Sequence, residues 1–326
     1  MTLAEALLSG RSRNFDLLRL GLATAVIVSH AWPLALGAGT PEPLHTLTGR
    51  SLGGWAVGGF FFLSGLLITA SAERRPARRF WTARARRILP GLGAAVLVTL
   101  ALAVASGATA DARESLIWGL RAVTLVSIEH RLTGAFATNP FPEIVNGPLW
   151  SLFHEVAAYA VCAGFVAVGG ARNASAVFGL LGIASLAAIF HDHLPARLAS
   201  FAPLFAAFAC GMAAHKFRDH LPLRPALFVA IAVTVWVLGG WSVAMGTMGL
   251  ALVMLVLRLP EMPLTQDVSF GMYIYGWPVA QMLVFLLPGV APLPLALLSV
   301  LATYPFAVLS WRFIERPALI ARPAEV

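Results

Sequence analysis

The feature that most constrains this chain is a recurring block of apolar residues long enough to cross a lipid bilayer. The blocks lie near 15–36, 54–72, 88–107, 149–169, 174–190, 199–215, 225–240, 241–258, 268–288 and 292–313. A bilayer core of about 30 Å is crossed by a helix of roughly 20 apolar residues, and lipid offers exposed backbone no hydrogen bonds. We therefore predict an all-α, polytopic transmembrane helical bundle of about ten spans. It forms a single domain over 1–326 with no appended soluble domain.

Composition supports a membrane protein and argues against a nucleic-acid partner. Hydrophobic residues make up 59% of the chain and charged residues 12%, and the mean hydropathy is +0.80. The net charge of +8 is concentrated at span ends and in one arginine-rich stretch, which we predict to be a short loop between two spans at 73–87. It contains Arg74, Arg75, Arg78, Arg79, Arg84, Arg86 and Arg87. Arginines in such a connection orient the spans, with the basic side in the cytoplasm. The two cysteines both lie in apolar blocks, so we expect neither a disulfide framework nor a cysteine-based metal site.

The topology depends on a shorter eleventh candidate at 115–129, which has charged residues in or beside it. If it does not cross, the basic connections fall almost entirely on the side of the N-terminus, as the positive-inside rule requires. We therefore predict ten spans with both termini in the cytoplasm. Segment 108–148 is then external and holds an interfacial or re-entrant helix near 115–129. We read the first span as an uncleaved helix rather than a signal peptide, because charged residues interrupt its start.

The first span carries three polar side chains that hydrocarbon disfavours: Asp16, Arg19 and His30. An Asp or Arg at a helix centre costs about 2.5–3.5 kcal/mol on insertion scales. Asp16 and Arg19 are three residues apart and can pair on one helix face, either as a simple helix-end ion pair or as part of a site. His30 lies about 21 Å beyond Asp16 along the helix, near the external end. There it is either a hydrogen-bonded packing residue or a functional residue.

The second polar group lies in "NGPLWSLFHEVAAY", residues 146–159. Asn-Gly-Pro is a helix start signal, and Ser151, Glu155 and Tyr159 then recur every four residues on one face. Trp150 forms a neighbouring stripe. With 149 at the external end, Glu155 lies at roughly the depth of His30, and a carboxylate beside an imidazole fixes its tautomer. The alternative is a structural hydrogen bond between helices.

The arginine-rich stretch has two readings. Positive charge there orients the protein in the membrane. However, seven arginines exceed what orientation requires, and Arg84 and Arg87 share a helix face from which guanidinium groups can bind phosphate oxygens in pairs. With Arg86 beside them, they predict a binding site for a phosphate-bearing ligand at the cytoplasmic surface.

Three lesser signals have structural readings. Gly239-Gly240 marks either a tight hairpin between two spans or a kink in one longer span. Ser64 lies beside Gly65 in a span, which is typical of close helix packing. The "HDH" at 191–193 looks like a metal pair, but it has no third ligand nearby, and we expect no metal in this protein.

Six sequence pieces together resemble the acyltransferase 3 family of integral-membrane acyltransferases, which modify bacterial surface glycans and related substrates. In order they are "FDLLRLGLATAVIVSH", "VGGFFFLSGLLI", "RFWTARARRILP", "GPLWSLFHEVAAY", "SFGMYIYGWPV" and "WRFIERP". The match runs through nearly the whole chain. Two positions depart from the family's pattern: Gly276 stands where many members carry His, and Phe270 replaces a frequent Tyr.

The resemblance implies a role for specific residues. It implies that His30 is the catalytic histidine, that Glu155 is functional, and that Arg84 and Arg87, with Arg86 nearby, bind the acyl donor. Supporting residues at matching positions are Asp16, Arg19, Trp150, Ser151, Tyr159 and Tyr273. The implied donor is acyl-CoA, by default acetyl-CoA, and the implied acceptor is a hydroxyl of a glycan. The implied location is the bacterial inner membrane.

These observations combine into one mechanistic hypothesis and two alternatives. An acyl-CoA docks from the cytoplasm, its phosphates meet the arginines, and its thioester reaches His30, which Glu155 orients to deprotonate an acceptor hydroxyl from the external side. The first alternative is a transporter or flippase of a glycan precursor, because polar groups in spans also line pathways. The second is a non-catalytic sensor or scaffold in the membrane.

Overall fold

The structure of the protein, a computed structural model, describes residues 1–125, 131–262 and 264–320. This part of the chain contains helices and isolated bridges but no β-strand. In chain order the α-helices are α1 (Leu3–Leu8), α2 (Phe15–Leu36), α3 (Pro43–Thr48), α4 (Leu52–Arg74), α5 (Ala77–Ala105), α6 (Ala112–Thr124), α7 (Trp150–Ala167), α8 (Ala174–Ile189), α9 (Ala196–Lys216), α10 (Pro225–Val237), α11 (Trp241–Arg258), α12 (Ser269–Leu286), α13 (Pro292–Ser310) and α14 (Arg316–Ile320).

Each of the ten predicted spans overlaps one of these helices, namely α2, α4, α5 and α7 to α13. Within the described residues, seven helical stretches are long and apolar enough to cross a membrane: Ser12–Leu36, Leu52–Arg74, Ala77–Ala105, Gly147–Ala167, Ala196–Lys216, Trp241–Arg258 and Pro292–Ile320. The helices α8 and α10 are shorter but apolar. The predicted all-helical, membrane-spanning architecture is confirmed.

Two connections differ from the simplest reading of the sequence. The arginine-rich stretch is not a loop, because α5 begins at Ala77 and continues without a break into the apolar block. Arginine has a high helix propensity, so only Arg75 and Pro76 separate α4 from α5. At Gly239-Gly240 the chain makes a hairpin between α10 and α11. Gly239 adopts a φ of +83°, which a glycine reaches without steric cost.

The eleventh candidate forms α6, which begins at Ala112. The Asp111 side chain accepts a hydrogen bond of 2.7 Å from the backbone N–H of Glu114 and so caps the helix. The helix has 13 residues, or about 20 Å of rise, which is too short to cross a bilayer core of about 30 Å as a straight helix. The remainder of this candidate, 126–129, lies outside the described residues.

The chain forms two compact units, each made of three stretches. The first comprises Met1–Leu22, Trp55–Phe80 and His154–Leu264, and contains α8 to α11 with most of α4 and α7. The second comprises Ala23–Gly54, Trp81–Phe153 and Thr265–Val326, and contains most of α2 and α5 together with α6, α12 and α13.

In the first unit, α4 and α9 cross where both carry glycine. A Cβ added at Gly65 would collide with the carbonyl oxygen of Phe208, and one added at Gly211 would collide with the carbonyl oxygen of Phe62. Small residues at such crossings let two backbones approach closely, which is how membrane helices gain packing energy without a hydrophobic driving force. The predicted packing role of the Ser64-Gly65 pair is therefore confirmed for the glycine.

In the second unit, an irregular segment lies alongside α12. The indole N–H of Trp277 donates a 2.8 Å hydrogen bond to the carbonyl oxygen of Ile144, and Gln281 Nε2 donates to the same oxygen at 2.9 Å and to that of Phe141 at 2.8 Å. Asn139 Nδ2 donates in turn to Gln281 Oε1 at 2.8 Å. Buried backbone carbonyls need a hydrogen-bond donor, and here side chains of α12 supply the donors.

Asn146 adds another hydrogen bond between this segment and α12, next to Pro278. Pro278 has no N–H, so the carbonyl of Ile274, four residues earlier in α12, loses its helical partner. Asn146 Nδ2 donates to that carbonyl oxygen at 3.0 Å, and Asn146 is fully buried. The contacts run from Gln281 down to Tyr273, whose hydroxyl donates to the Pro148 carbonyl at 3.1 Å. That is about 12 Å of helix axis.

The start of α7 lies beside α12. Tyr273, in the first half of α12, holds the Pro148 carbonyl just before α7 begins at Trp150. The external position of residue 149 and of segment 108–148 stays a prediction, as does the interfacial or re-entrant nature of the helix near 115–129.

The crossing of α4 and α9 yields a stability prediction. Gly65→Ala should lower the thermal unfolding midpoint of the purified protein, because overpacking a close contact costs about 1–3 kcal/mol. Gly164→Ala in α7 is the matched control, since an added Cβ there meets no described heavy atom within 4 Å, and Ala favours a helix by about 1 kcal/mol. Equal midpoints for the two variants would contradict the close crossing.

Candidate active site

His30 lies in α2 within the second unit, where its ring meets the indole of Trp277. The ring centroids are 4.9 Å apart with an interplanar angle of 77°, an edge-to-face contact. Trp277 is 6% exposed, and its N–H is held by the Ile144 carbonyl. A Cβ at Gly147 would lie 3.3 Å from the indole ring, so backbone also packs against it. The surface against which His30 rests is therefore fixed by two elements, α12 and the segment 139–149.

The departure at Gly276 has a steric cause. A Cβ at this position would lie 2.6 Å from Cγ1 of Ile27 and would clash with that side chain. Ile27 lies in α2, one turn before His30. Any larger residue at 276 would push α2 and α12 apart. In this chain Ile27 fills the space that a histidine at 276 would need.

Glu155 lies near the start of α7 in the first unit, where two hydroxyl groups donate hydrogen bonds to its Oε1. Ser64 of α4 donates at 3.0 Å, and the hydroxyl of Tyr159, one turn further along α7, also donates. The predicted common face of Glu155 and Tyr159 is confirmed. Sequence reasoning missed Ser64 as a donor, because a serine beside a glycine in an apolar span carries only the signal of helix packing.

The predicted orientation of His30 by Glu155 stays a prediction, since the two residues belong to different units. His154, beside Glu155, forms a 2.9 Å hydrogen bond between Nε2 and Ser200 Oγ of α9. Asp16 and Arg19 form the predicted ion pair at 2.8 Å, and both side chains are about one-third exposed. An exposed i,i+3 pair contributes little stability, so its role in a site also stays a prediction.

Two further predicted supporting residues meet in the second unit. Ser151 Oγ and the Tyr273 hydroxyl are 2.6 Å apart, and both groups are buried. Tyr273 also donates to the Pro148 carbonyl. Together they fasten the first turn of α7, which begins at Trp150, to α12.

The three predicted phosphate ligands lie on consecutive turns of α5, but Arg87 already has partners. Its guanidinium forms an ion pair with Asp267 at 2.6 Å and with Glu315 at 3.6 Å. It also lies over the rings of Phe270, at 5.7 Å, and Trp311, at 5.9 Å. Sequence reasoning missed both carboxylates. The available signal was a single acidic residue placed just before α12 and another inside the apolar C-terminal helix.

One helix links the arginine end of the second unit to the histidine. Phe270, which contacts Arg87, and Trp277, which contacts His30, both belong to α12 and are seven residues apart. That separation is about 10 Å along the helix axis.

Among the described residues, no group of three or more His, Cys, Asp or Glu side chains is arranged to hold a metal ion.

Comparisons with known proteins agree with the family resemblance seen in the sequence. A family model described as an acyltransferase domain matches residues 12–312. The chain is 28% identical to "Nodulation protein 10" of Rhizobium leguminosarum bv. viciae, over 98% of this chain and 96% of that protein. It is 45% identical to "O-acetyl transferase" of Shigella phage Sf6, over 25% of this chain and 24% of that protein. No solved structure gives a significant match.

The two donors to Glu155 yield a prediction. Ser64→Ala and Tyr159→Phe should each lower the free energy of unfolding by about 1.5–3 kcal/mol, because each removes a hydrogen bond to a carboxylate. Ser185→Ala is the matched control, since its hydroxyl only bonds the Leu181 carbonyl of its own helix. Thermal unfolding in detergent measures all three variants. A loss no larger than that of the control would show that Glu155 does not depend on these donors.

Proposed function

Because the chain belongs to the acyltransferase 3 family and is an integral-membrane acyltransferase, we propose a specific donor and acceptor for it. The donor is an acyl-CoA, with acetyl-CoA as the first candidate, and the acceptor is a sugar hydroxyl of a cell-surface or exported glycan. The name of the phage relative, an O-acetyl transferase, supports transfer of acetyl to oxygen. The family also favours an enzyme over a transporter or a scaffold.

The single observation that carries the proposal is the arrangement on α12. Arg87 of α5 lies against the beginning of this helix, with Arg84 and Arg86 within about one turn of it along α5. The imidazole of His30 lies against α12 two turns further on. A thioester cofactor has its phosphates far from its reacting carbonyl, so a donor site needs cationic groups separated from the base along one direction. Arg84 and Arg86 on α5 are the proposed phosphate ligands.

The proposed chemistry uses His30 as a general base. Its neutral imidazole accepts the hydroxyl proton of the acceptor while that oxygen attacks the thioester carbonyl. The tetrahedral intermediate collapses, the carbon–sulfur bond breaks, and the imidazolium returns its proton to the departing thiolate. An acyl ester and free coenzyme A result, and the histidine is neutral again. Glu155 is the proposed partner that fixes the imidazole tautomer.

Orientation and location complete the proposal. The N- and C-termini face the cytoplasm, the donor enters from that side, and the acceptor is presented from the external side of a bacterial inner membrane. The basic residues at span ends support this arrangement. Mass analysis of surface glycans from a deletion strain would identify acceptor and acyl group together, as the loss of one acyl mass.

The general-base role is tested by removing the imidazole. His30→Ala should lower the rate of acceptor-dependent thiol release from acetyl-CoA by about 10²–10⁴-fold, with an unchanged thermal midpoint. His45→Ala, at an exposed histidine of α3 in the same unit, is the control and should behave as wild type. Transfer by His30→Ala at the wild-type rate would remove His30 from the mechanism.

The contact between Trp277 and His30 gives a second test. Trp277→Phe keeps a ring but loses the hydrogen bond to Ile144, and Trp277→Leu loses both the ring and the hydrogen bond. The kcat should fall more in the Leu variant than in the Phe variant, by up to about 100-fold, because a catalytic group misplaced by about 1 Å loses that much rate. The KM for acetyl-CoA should change little. Trp241→Phe, whose indole meets His191 in the first unit, is the control. Unchanged kcat in both Trp277 variants would refute this positioning.

A further inference from the structure

We infer that Arg87 is a positioning residue whose guanidinium is held by Asp267 and Glu315, and that it is not itself a ligand of the donor's phosphates. The lock, as we call Arg87, Asp267 and Glu315 together, joins α5 to a residue two positions before the start of α12 and to the turn after α13. The inference rests on the proposed function in one respect, namely that an acyl-CoA is the ligand that α5 binds.

Carboxylates contact the nitrogen-bearing edge of the Arg87 guanidinium, and aromatic rings lie close to its plane. One terminal nitrogen meets Asp267 at 2.6 Å, the other meets Glu315 at 3.6 Å, and the rings of Phe270 and Trp311 lie within 6 Å of the guanidinium carbon. Paired carboxylates and aromatic faces are what an arginine, rather than a lysine, is built to recognise. The side chain is 23% exposed.

The two carboxylates are themselves held in place. Ser269 Oγ donates to Asp267 at 2.6 Å, and Ser310 Oγ donates to Glu315 at 2.9 Å. Glu315 closes a single π-helical turn, Trp311–Glu315, that follows α13. Such turns are uncommon and occur often at functional sites. The turn brings both the Trp311 ring and the Glu315 carboxylate to the same guanidinium.

Close packing at Gly91 belongs to the same arrangement. Gly91 lies one turn after Arg87 in α5, and a Cβ there would meet Phe270 Cε1 at 2.9 Å and Glu315 Cγ at 3.2 Å. The absence of a side chain at 91 thus lets α5 approach the two partners of Arg87. A lock at this distance fixes the rotation of α5 about its own axis.

Charge explains why Arg87 stays with its partners. The lock has two carboxylates and one guanidinium, and Glu315 is only 1% exposed. If Arg87 turned to a phosphate, a buried carboxylate would lose its cation, which is strongly destabilising. A phosphate brought to Arg87 would also lie beside two like charges. Arg84 and Arg86, on the same helix, remain the proposed phosphate ligands, with the lock setting the rotation of α5 and so their direction.

The experiment compares variants of the full chain in lipid nanodiscs: Arg87→Met, Asp267→Asn, Glu315→Gln and the triple combination. Arg312→Met, an arginine of the π turn that lies over Phe313, is the matched control. Two quantities are measured for each variant, the thermal midpoint and the KM for acetyl-CoA. The nucleotide half of coenzyme A, adenosine 3′,5′-bisphosphate, probes phosphate binding without the thioester arm.

A positioning role predicts that the carboxylate variants share the defects of the arginine variant. Arg87→Met and Asp267→Asn should each lower the midpoint by on the order of 5 °C and raise the KM at least about tenfold, with kcat changed less. The triple variant, which has no buried unpaired charge, should recover most of the midpoint and bind the bisphosphate within about threefold of wild type.

The opposite pattern would overturn the inference. If Arg87 is a phosphate ligand, Asp267→Asn and Glu315→Gln release it, so they bind the bisphosphate as tightly as wild type or more tightly, while the triple variant stays as defective as Arg87→Met. If wild type binds neither acetyl-CoA nor the bisphosphate, the proposed donor is wrong. The midpoints then decide the lock alone: recovery in the triple variant supports it, and independent, additive losses refute it.

Discussion

The second unit depends on the burial of irregular backbone beside the apolar helix α12. A buried backbone carbonyl needs a hydrogen-bond donor, so each carbonyl of segment 139–149 that faces α12 needs one from protein. Trp277 and Gln281 supply donors at successive turns, while Asn146 returns one to the carbonyl that Pro278 leaves open. The same indole that serves Ile144 supports His30. The hydrogen bonds to the irregular backbone and the placement of the candidate base therefore depend on the same side chain. Both require α12 to keep the same rotation about its own axis.

The same helix fixes the other end of the candidate site. Phe270, two turns before Trp277, lies under the guanidinium of Arg87, and Asp267 lies two residues before the start of the helix. A rotation or shift of α12 would therefore disturb His30 and the arginine-bearing turns of α5 together. In the proposed mechanism, α12 sets the distance between the proposed phosphate ligands and the proposed base. The glycines at 91 and 276 allow α5 and α2 to approach it.

Local sequence spacing predicted much of the fold and some of the site. Apolar block length predicted the ten helices, and i,i+3 and i,i+4 spacing predicted the Asp16–Arg19 ion pair and the common face of Glu155 and Tyr159. Contacts between distant segments were not predictable this way. Ser64 and Glu155 are 91 residues apart, and Arg87 and Asp267 are 180 residues apart. The hydrogen bonds between segment 139–149 and α12 were not predictable either, because local spacing cannot reveal donors that a distant helix provides.

The central claim is that one membrane bundle takes an acyl group from a cytoplasmic donor to an acceptor on the other side. The most direct measurement uses sealed vesicles with one orientation of the protein, glycan acceptor enclosed on the external face, and radiolabelled acetyl-CoA added only to the cytoplasmic face. The account predicts label on the enclosed glycan and free thiol on the donor side. Label that forms only when donor and acceptor share one face would contradict it.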